Sequence, residues 1–326
     1  MEHQRKVRAS DVTAPSQSRL IMSLMAPSLP ADILTQVEAL AADLGLTVER
    51  AQPFSTNESL PGDMSPHGSC VECWLHGEGV ALAAVRESAQ TLGAALGIDI
   101  VVQDDTAWRC QRRLACFDMD STLIQAEVID ELARRHGVYD DVSAVTERAM
   151  RGELDFKQSF RERMSKLNGL DESVLAEIAE ALPLMDGLER LMYHLKRQGY
   201  RTAILSGGFT YFAHYLQERL GFDEVHANEL VIENGKVTGD VREPIVDADR
   251  KALLLRDIAT REGISMEQTI AVGDGANDLK MLAAAGLGVA FHAKPKVREE
   301  ARHAISTLGL DALLYLIDCP ELGLER

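Results

Sequence analysis

Two different patterns of hydrophobic and polar positions divide the chain. In the first pattern, short apolar runs and two helically spaced segments follow the order strand, helix, strand, strand, helix, strand. The first helical segment runs from Ile33 to Leu44 and stops at Gly45. This order predicts an α+β domain over residues 19–106, with its helices on one face of a sheet. The polar stretch before it, residues 1–18, is typical of a disordered tail.

The second pattern begins near Trp108 and consists of short apolar strands, each followed by a turn and a helix. The strand candidates read LACF, TAIL, TIAV and GVAF. They predict a parallel, doubly wound α/β sheet within residues 107–326. The helical stretch between the first two strands is longer than a crossover needs, so we expect an inserted cap at about 124–182. Asn234-Gly235, between apolar runs, predicts a β-hairpin.

Composition and charge narrow the class of protein. The 326 residues are 46% hydrophobic and 26% charged, as in an ordinary globular protein of two or three domains. The net charge of −17 argues against nucleic-acid and anionic-lipid partners. No apolar run reaches the roughly 18 residues that span a bilayer, and no signal-peptide pattern is evident. We therefore expect a cytoplasmic protein that needs a metal or local cations to bind an anionic substrate.

The five cysteines do not suggest a disulfide scaffold. Cys70 and Cys73 form a single CxxC within a predicted strand, where residues three apart point to opposite faces. No second pair stands at zinc spacing. A structural role is therefore favoured for these cysteines over a redox or metal role.

Three predicted strand ends carry residues suited to chemistry. DMDST at 118–122 follows the first strand, SGG at 206–208 the second, and GDGAND at 273–278 the third, while Lys251 lies near a helix start. Parallel sheets place their sites at the carboxyl ends of strands, so we expect these residues to meet. Each motif alone also fits an ordinary turn or helix cap. Their joint occurrence at successive strand ends favours an active site.

The acidic residues of these motifs suit a metal-assisted reaction on phosphate. Asp118 and Asp274 can supply oxygen ligands to Mg²⁺, which offsets their repulsion of a phosphate dianion. One aspartate can attack phosphorus, and a second can hold the proton that the leaving alkoxide needs, because a nearby carboxylate raises its pKa. Asp118 and Asp120 are two residues apart, so one turn can present both carboxylates to the cleft.

The remaining residues of the motifs suit the recognition of phosphate. The hydroxyl of Ser206, the amide of Gly207 and the ammonium of Lys251 are donors for phosphate oxygens. Asn277 can bind phosphate or a nucleophilic water. Asp278 can orient Lys251 or a metal-bound water.

These motifs resemble those of the haloacid dehalogenase superfamily, and residues 110–305 resemble its phosphoserine phosphatases still more closely. The resemblance implies that Asp118 is the nucleophile and Asp120 the acid/base, with the Asp120 backbone carbonyl and Asp274 as further Mg²⁺ ligands. It implies that the SGG residues and Lys251 bind phosphate. The implied reaction hydrolyses O-phospho-L-serine through an aspartyl-phosphate, the last step of serine synthesis in that family.

Substrate choice is expected to lie in the cap. Phosphoserine carries an ammonium and a carboxylate, which one acid and one arginine facing the cleft would recognise. The resemblance assigns Glu127 to the ammonium and Arg163 to the carboxylate, and it places Phe156 and Met150 along the pocket wall. Taken alone, Glu127 also fits a first-turn helix acid and Arg163 an exposed charge.

Residues 19–106, with their ferredoxin-like order of elements, resemble the ACT-type domains attached to some phosphoserine phosphatases. Those domains often bind amino acids at a glycine-containing turn, but the turn at 25–30 contains no glycine. Homodimerisation or packing is therefore at least as strong an expectation as effector binding. Two alternatives to the implied activity stay open: action on another small phosphomonoester, and a catalytically idle metabolite sensor, against which the intact acidic set and Lys251 argue.

Overall fold

The structure is a computed structural model that describes residues 17–54, 64 and 66–317. The predicted tail up to residue 16, most of the loop at 55–65 and Cys319 lie outside the described residues. The first strand begins at Gln17, two residues before the expected start of the domain at Arg19.

The N-terminal part of the chain is one antiparallel sheet with two helices. Its elements in chain order are β1 (Gln17–Ala26), α1 (Ile33–Asp43), β2 (Thr47–Pro53), β3 (Ser69–Glu78), α2 (Leu82–Leu96) and β4 (Asp99–Asp104). The strands lie in the order β2-β3-β1-β4. Gly97 ends α2 in the left-handed conformation, at a φ of 67°. The order of strands and helices predicted from the sequence is therefore observed.

Both faces of this sheet are covered. Cys73 packs with the residues beneath the two helices, whereas Cys70 belongs to the large core of the second part of the chain. The predicted opposite orientation of the two cysteines is thus confirmed, and both side chains are buried. Glu72 forms a buried ion pair with Arg109, whose Nη2 donates a hydrogen bond to the carbonyl of Tyr315 at 3.2 Å. These contacts fix the N-terminal sheet to the second part of the chain.

The second part of the chain is built on a six-stranded parallel sheet of order β12-β11-β10-β5-β6-β7. Its strands are β5 (Leu114–Phe117), β6 (Arg201–Phe209), β7 (Glu224–Asn228), β10 (Thr269–Gly273), β11 (Leu287–Phe291) and β12 (His303–Ile305). The four predicted strands are present. Two further strands were not predicted from the sequence: β7, whose residues are partly polar, and β12, which has only three residues.

Helices flank the sheet and form the expected cap. The cap contains α3 (Val128–His136), α4 (Tyr139–Met150), α5 (Phe156–Lys166) and α6 (Ser173–Ala181). The other helices are α7 (Leu188–Arg197), α8 (Thr210–Leu220), α9 (Ala248–Arg261), α10 (Leu279–Ala284) and α11 (Pro295–Glu300). Short 3₁₀ turns occupy Ala107–Gln111, Met266–Gln268 and Leu310–Tyr315. None of the helices in the described part of the chain combines the length and apolar character that crossing a membrane requires.

The predicted hairpin is present as β8 (Leu230–Glu233) and β9 (Lys236–Val241). Its turn residues Asn234 and Gly235 have φ values of 50° and 74°, as a tight two-residue turn requires. The hairpin packs on the cap, where the amide of Gly169 donates a hydrogen bond to the Val237 carbonyl at 2.8 Å. The hairpin therefore supports the cap, and this contact was not predicted from the sequence.

Candidate active site

The predicted motifs meet at the carboxyl edge of the parallel sheet. Strand β5 lies between β10 and β6, so the residues that follow these three strands are neighbours. Asp118 follows β5, and its amide donates a hydrogen bond to the carbonyl of Val272 on β10 at 2.9 Å. Ser206 lies in the last part of β6, and Asp274 follows β10. The topology therefore places Asp118 between the other two motifs.

A buried lysine joins two aspartates at the centre of this site. The Nζ atom of Lys251 lies 2.8 Å from Oδ1 of Asp118 and 2.7 Å from Oδ1 of Asp278. Asp247 caps α9 by accepting a hydrogen bond from the Arg250 amide, which fixes the helix start next to Lys251. Burial disfavours the ammonium, but the two carboxylates outweigh it and raise the pKa of Lys251. Lys251 is therefore a fixed positive charge beside Asp118.

Three carboxylates form a candidate metal centre. One oxygen from each of Asp118, Asp274 and Asp278 lies within 4.8 Å of the others. Burial, together with the charge of Asp118, raises the pKa of Asp274 to about 8 and that of Asp278 to about 7. A divalent cation would relieve this repulsion among desolvated carboxylates. The all-oxygen donor set fits Mg²⁺.

Asp120 lies beside this cluster in a different environment. Burial and the charges of Glu127 and Asp118 raise the pKa of Asp120 well above the usual range. A hydrogen bond from the Val128 amide, at 3.2 Å, lowers this pKa but does not outweigh the other effects. A Cβ atom at residue 208 would lie 2.6 Å from Oδ2 of Asp120, so Gly208 permits this approach. A raised pKa favours the neutral acid, which can donate a proton. The predicted metal contact of Asp120, through its backbone carbonyl, stays a prediction.

Ser206, Gly207 and Asn277 line one side of the site. Ser206 is buried, and its Oγ accepts a hydrogen bond from the Gly208 amide at 2.9 Å. A Cβ atom at residue 207 would lie 3.1 Å from Cζ of Phe156 and 3.8 Å from Nδ2 of Asn277. Gly207 therefore leaves its amide open where a side chain would crowd the cap residue Phe156.

Two residues that support the site had not been assigned a role from the sequence. The buried Asn228 donates a hydrogen bond from Nδ2 to the Gly207 carbonyl at 2.8 Å and accepts one at Oδ1 from the Val246 amide at 2.9 Å. It thus holds the SGG segment against the approach to α9. Thr122 donates from Oγ1 to Oδ1 of Asp274 at 3.1 Å. The DMDST motif contains Thr122, but no sequence signal distinguishes Asn228 from an ordinary turn residue.

Glu127 and Arg163 lie on the cap side of the site. Glu127 is the N-cap of α3 but makes no capping bond, because its Oε1 instead accepts a 2.8 Å hydrogen bond from the hydroxyl of Ser121. Desolvation raises the pKa of Glu127, and the hydrogen bond from Ser121 offsets only part of this rise. Desolvation also lowers the pKa of Arg163, and the charges of Glu127 and Asp130 offset only part of that fall. The Nε atom of Arg163 is buried and has no hydrogen-bond partner among the described residues. Such a donor fits a carboxylate ligand.

The two predicted wall residues differ in their surroundings. Phe156 begins α5, and its ring stacks on Phe160 with centroids 6.2 Å apart. Met150, the last residue of α4, is 70% exposed. Phe156 therefore lies next to Gly207 in the candidate site, whereas Met150 is exposed. The role of Met150 in the pocket wall stays a prediction.

Known proteins are similar to this chain in sequence and architecture. A family model for haloacid dehalogenase-like hydrolases matches residues 113–286. Phosphoserine phosphatases from Archaeoglobus fulgidus and Haemophilus influenzae are 47% and 50% identical to this chain over 238 and 220 residues. The alignments cover 73% and 68% of this chain, and 69% and 70% of those two proteins.

Solved structures agree with these relatives. An unliganded probable phosphoserine phosphatase from Vibrio cholerae aligns with a TM-score of 0.71 and 36% identity, covering 93% of this chain and 87% of that one. A substrate-bound phosphoserine phosphatase aligns with a TM-score of 0.60 and 40% identity, covering 64% of this chain and 99% of that one. Because the family model matches more than half of the chain, from β5 through α10, this chain belongs to the haloacid dehalogenase-like hydrolase family.

Proposed function

We propose that this chain is a phosphoserine phosphatase, which hydrolyses O-phospho-L-serine to L-serine and phosphate with the help of Mg²⁺. The structural observation that carries the proposal is the half-buried Arg163, whose Nε atom is buried and has no hydrogen-bond partner among the described residues. Its charge interacts with those of Glu127, Asp130 and Asp120, and Glu127 and Asp120 belong to the site. The amino-acid part of the substrate offers a carboxylate to Arg163 and an ammonium to Glu127. The relatives that carry the name phosphoserine phosphatase support this assignment.

The acidic cluster would hold Mg²⁺ through Asp118 and Asp274, with the backbone carbonyl of Asp120 as a third ligand. When bound, Mg²⁺ would offset the repulsion between these carboxylates and the phosphate dianion and polarise a phosphate oxygen. Asp278 lies 2.7 Å from Lys251, which supports its proposed role of orienting that lysine.

Asp118 is the proposed nucleophile of the first step. The Met119 amide, at 2.7 Å, and Lys251 both donate to Oδ1 of Asp118 and fix the orientation of its carboxylate. The carboxylate attacks phosphorus, the bond to the serine oxygen breaks, and Asp120 gives its proton to that oxygen. The raised pKa of Asp120 favours the protonated form that this step requires.

Asp120 is the proposed base of the second step. Now a carboxylate, it accepts a proton from a water molecule as the water oxygen attacks the phosphorus of the aspartyl-phosphate. The bond between phosphorus and Asp118 breaks, so that phosphate leaves and both aspartates return to their starting states. Donors that suit the phosphoryl oxygens in both steps are the side chains of Ser206, Lys251 and Asn277 and the amide of Gly207.

The cap is the proposed specificity element. Phe156 approaches Gly207 closely enough that a Cβ there would lie 3.1 Å from its ring, so the cap lies over the phosphate side of the site. Closure of this kind excludes water and strengthens the ion pairs of Glu127 and Arg163 with the substrate. Met150 is proposed to complete the wall when substrate is bound.

We further propose that residues 19–106 form a ferredoxin-like, ACT-like domain whose main role is packing. Its strand order and antiparallel sheet support the fold. Met25, Cys70 and Val101 share one hydrophobic core with Tyr315, which supports packing against the phosphatase part. A homodimer through this domain stays a prediction.

A substrate panel tests the proposed activity. Phosphate release from phosphoserine, phosphothreonine, phosphohomoserine and a generic aryl phosphate is measured with Mg²⁺, with Asp118→Asn as the inactive control. The expected result is the highest kcat/KM for phosphoserine. Equal values for all four would instead indicate a general phosphomonoesterase, and no release from any of them would contradict an enzymatic role.

A further inference from the structure

A groove of about 570 Å³ lies between the N-terminal domain and the edge of the parallel sheet. Residues of α2 and β4 form one wall, and residues of α11, β12 and the segment after β12 form the other. None of the residues proposed above for the phosphatase reaction lines it. Grooves of this size accommodate small organic molecules.

Positive charge is concentrated in this groove. Arg86 comes from α2, Arg298 from α11, Arg302 from the position before β12, and His303 is the first residue of β12. Burial lowers the pKa of Arg86 and of His303, and the positive charge of Arg302 lowers both pKa values further. At Arg86, the charge of Asp104 has the opposite effect. In a chain with a net charge of −17, such a cluster stands out from the average surface.

Neutral acceptors hold two of these arginines. Nε of Arg86 donates to the carbonyl of Val102 at 3.1 Å, and Nη2 of Arg302 donates to the carbonyl of Ala283 at 3.1 Å. These bonds orient the guanidinium groups without neutralising their charge. Each guanidinium carries five N–H donors, so several stay available for a ligand.

Two acids offset part of this charge, because Asp99 and Glu299 line the groove beside Arg86, Arg298 and Arg302, and the formal surplus is one positive charge. Asp99 accepts hydrogen bonds from the Ser306 amide at 2.9 Å and from the amide and hydroxyl of Thr307 at 2.8 and 2.7 Å, so both its oxygens are occupied. Glu299 is exposed on α11. His303 is only 3% exposed, and its Nδ1 is buried with no hydrogen-bond partner in the described ranges.

We propose that this groove binds a small organic anion whose carboxylate or phosphate group pairs with the arginines. A guanidinium binds either group through two parallel hydrogen bonds. Ile98 and Ile100 supply apolar surface for the carbon part of the ligand, and Gln90 and Thr91 supply hydrogen-bonding groups. Because the arginines come from both walls, the bound anion links the N-terminal domain to the edge strand of the catalytic sheet.

Titration calorimetry on the full chain tests this proposal, with succinate as the carboxylate probe and methylphosphonate as the phosphate-like probe. We expect saturable binding of at least one probe, and the probe that binds identifies the headgroup. Arg298→Gln should weaken binding by about ten-fold or more, because a charge-assisted pair is lost, and Arg298→Glu should abolish it. The side chain of Arg298 is exposed, so folding should not suffer.

Controls separate the groove from the active site. Arg256→Gln replaces an exposed arginine of α9 outside the groove and should bind the probe as the unaltered protein does. Without probe, the Arg298 variants should keep their kcat/KM for phosphoserine. Absence of saturable binding for both probes would overturn the proposal. So would unchanged affinity in both Arg298→Gln and Arg302→Gln, because any binding would then belong elsewhere.

Discussion

Replacing Arg163 with alanine should remove the preference for phosphoserine without removing the phosphatase reaction. Arg163 belongs to the cap, whereas the proposed nucleophile and phosphate-binding residues lie at the end of a strand, after a strand or in the first turn of α9. The substitution therefore deletes the proposed partner of the substrate carboxylate and leaves the Asp118 and Lys251 pair in place.

The size of the effect follows from the partial burial of Arg163, whose Nε atom is inaccessible to water. Desolvation already lowers its pKa in the folded protein, so the substrate carboxylate meets a charge that water solvates poorly. Losing one member of such a buried pair costs about 2–5 kcal/mol, or roughly 30-fold to several thousand-fold in kcat/KM. Arg163→Lys should recover only part of this, because an ammonium cannot reproduce the planar fork of donors.

The assay is the ratio of kcat/KM for phosphoserine to kcat/KM for an aryl phosphate, which has no carboxylate to bind. Arg163→Ala should lower the first value strongly and the second little. Arg161→Ala is the matched control, because Arg161 lies on the same helix but pairs with Glu243 and exposes half of its side chain. This control should leave the ratio unchanged.

An equal loss on both substrates would refute the reasoning, because it would make Arg163 a structural or phosphate-binding residue. Thermal unfolding provides an independent check. Alanine removes a buried donor that has no partner among the described residues, so the variant should unfold at an equal or higher temperature. A clear fall in Tm would show that the guanidinium stabilises the cap.

Three further predictions concern the reaction and the fold. Asp118→Asn should abolish phosphate release, whereas Asp120→Asn should lower kcat by about 10²–10⁴-fold, and near-normal activity of either variant would contradict its role. EDTA should inactivate the enzyme, Mg²⁺ should restore it and Ca²⁺ should do so poorly, because its larger shell misplaces the nucleophile; full activity after exhaustive chelation would exclude the metal. Burial lowers the pKa of His303, so below about pH 6.5 the unfolded chain binds this proton first, and the contribution of His303 to the free energy of unfolding falls by up to about 1.4 kcal/mol per pH unit. The raised pKa values of Asp120, Asp274 and Asp278 give slopes of the opposite sign, so the His303 slope is measured in urea between pH 7 and 5 as the difference between the unaltered protein and His303→Gln. A difference that does not change with pH would contradict this prediction.

The strands that the sequence predicted correctly share one physical property. LACF and TIAV are wholly apolar because both faces of a central parallel strand are covered, and their burial in the structure is complete. Strand β7 has a different composition, since four of its five residues are only partly buried at the sheet edge. Its polar residues carry no continuous apolar signal, so its place beside β6 depends on contacts that local sequence does not record.

The site residues also differ in how well local sequence predicts them. Asp118, Ser206 and Asp274 were predictable because each follows or ends a strand, and the parallel sheet brings such positions together. Asn228 was not, because its function depends on hydrogen bonds to residues 18 and 21 positions away in the chain. Its position could be understood only once β7 had been placed beside β6.

The groove between the N-terminal domain and the parallel sheet is even harder to predict from local sequence patterns. A motif such as GDGAND forms one turn, so the residues that act together in it are neighbours in the chain. Here Nε2 of Gln90 donates a hydrogen bond to the backbone carbonyl of Arg298, 208 positions away, at 3.3 Å. Each arginine of the groove is an ordinary surface residue until the N-terminal sheet packs beside β12. A site of this kind forms only when the two parts of the chain pack together, so no local sequence pattern predicts it.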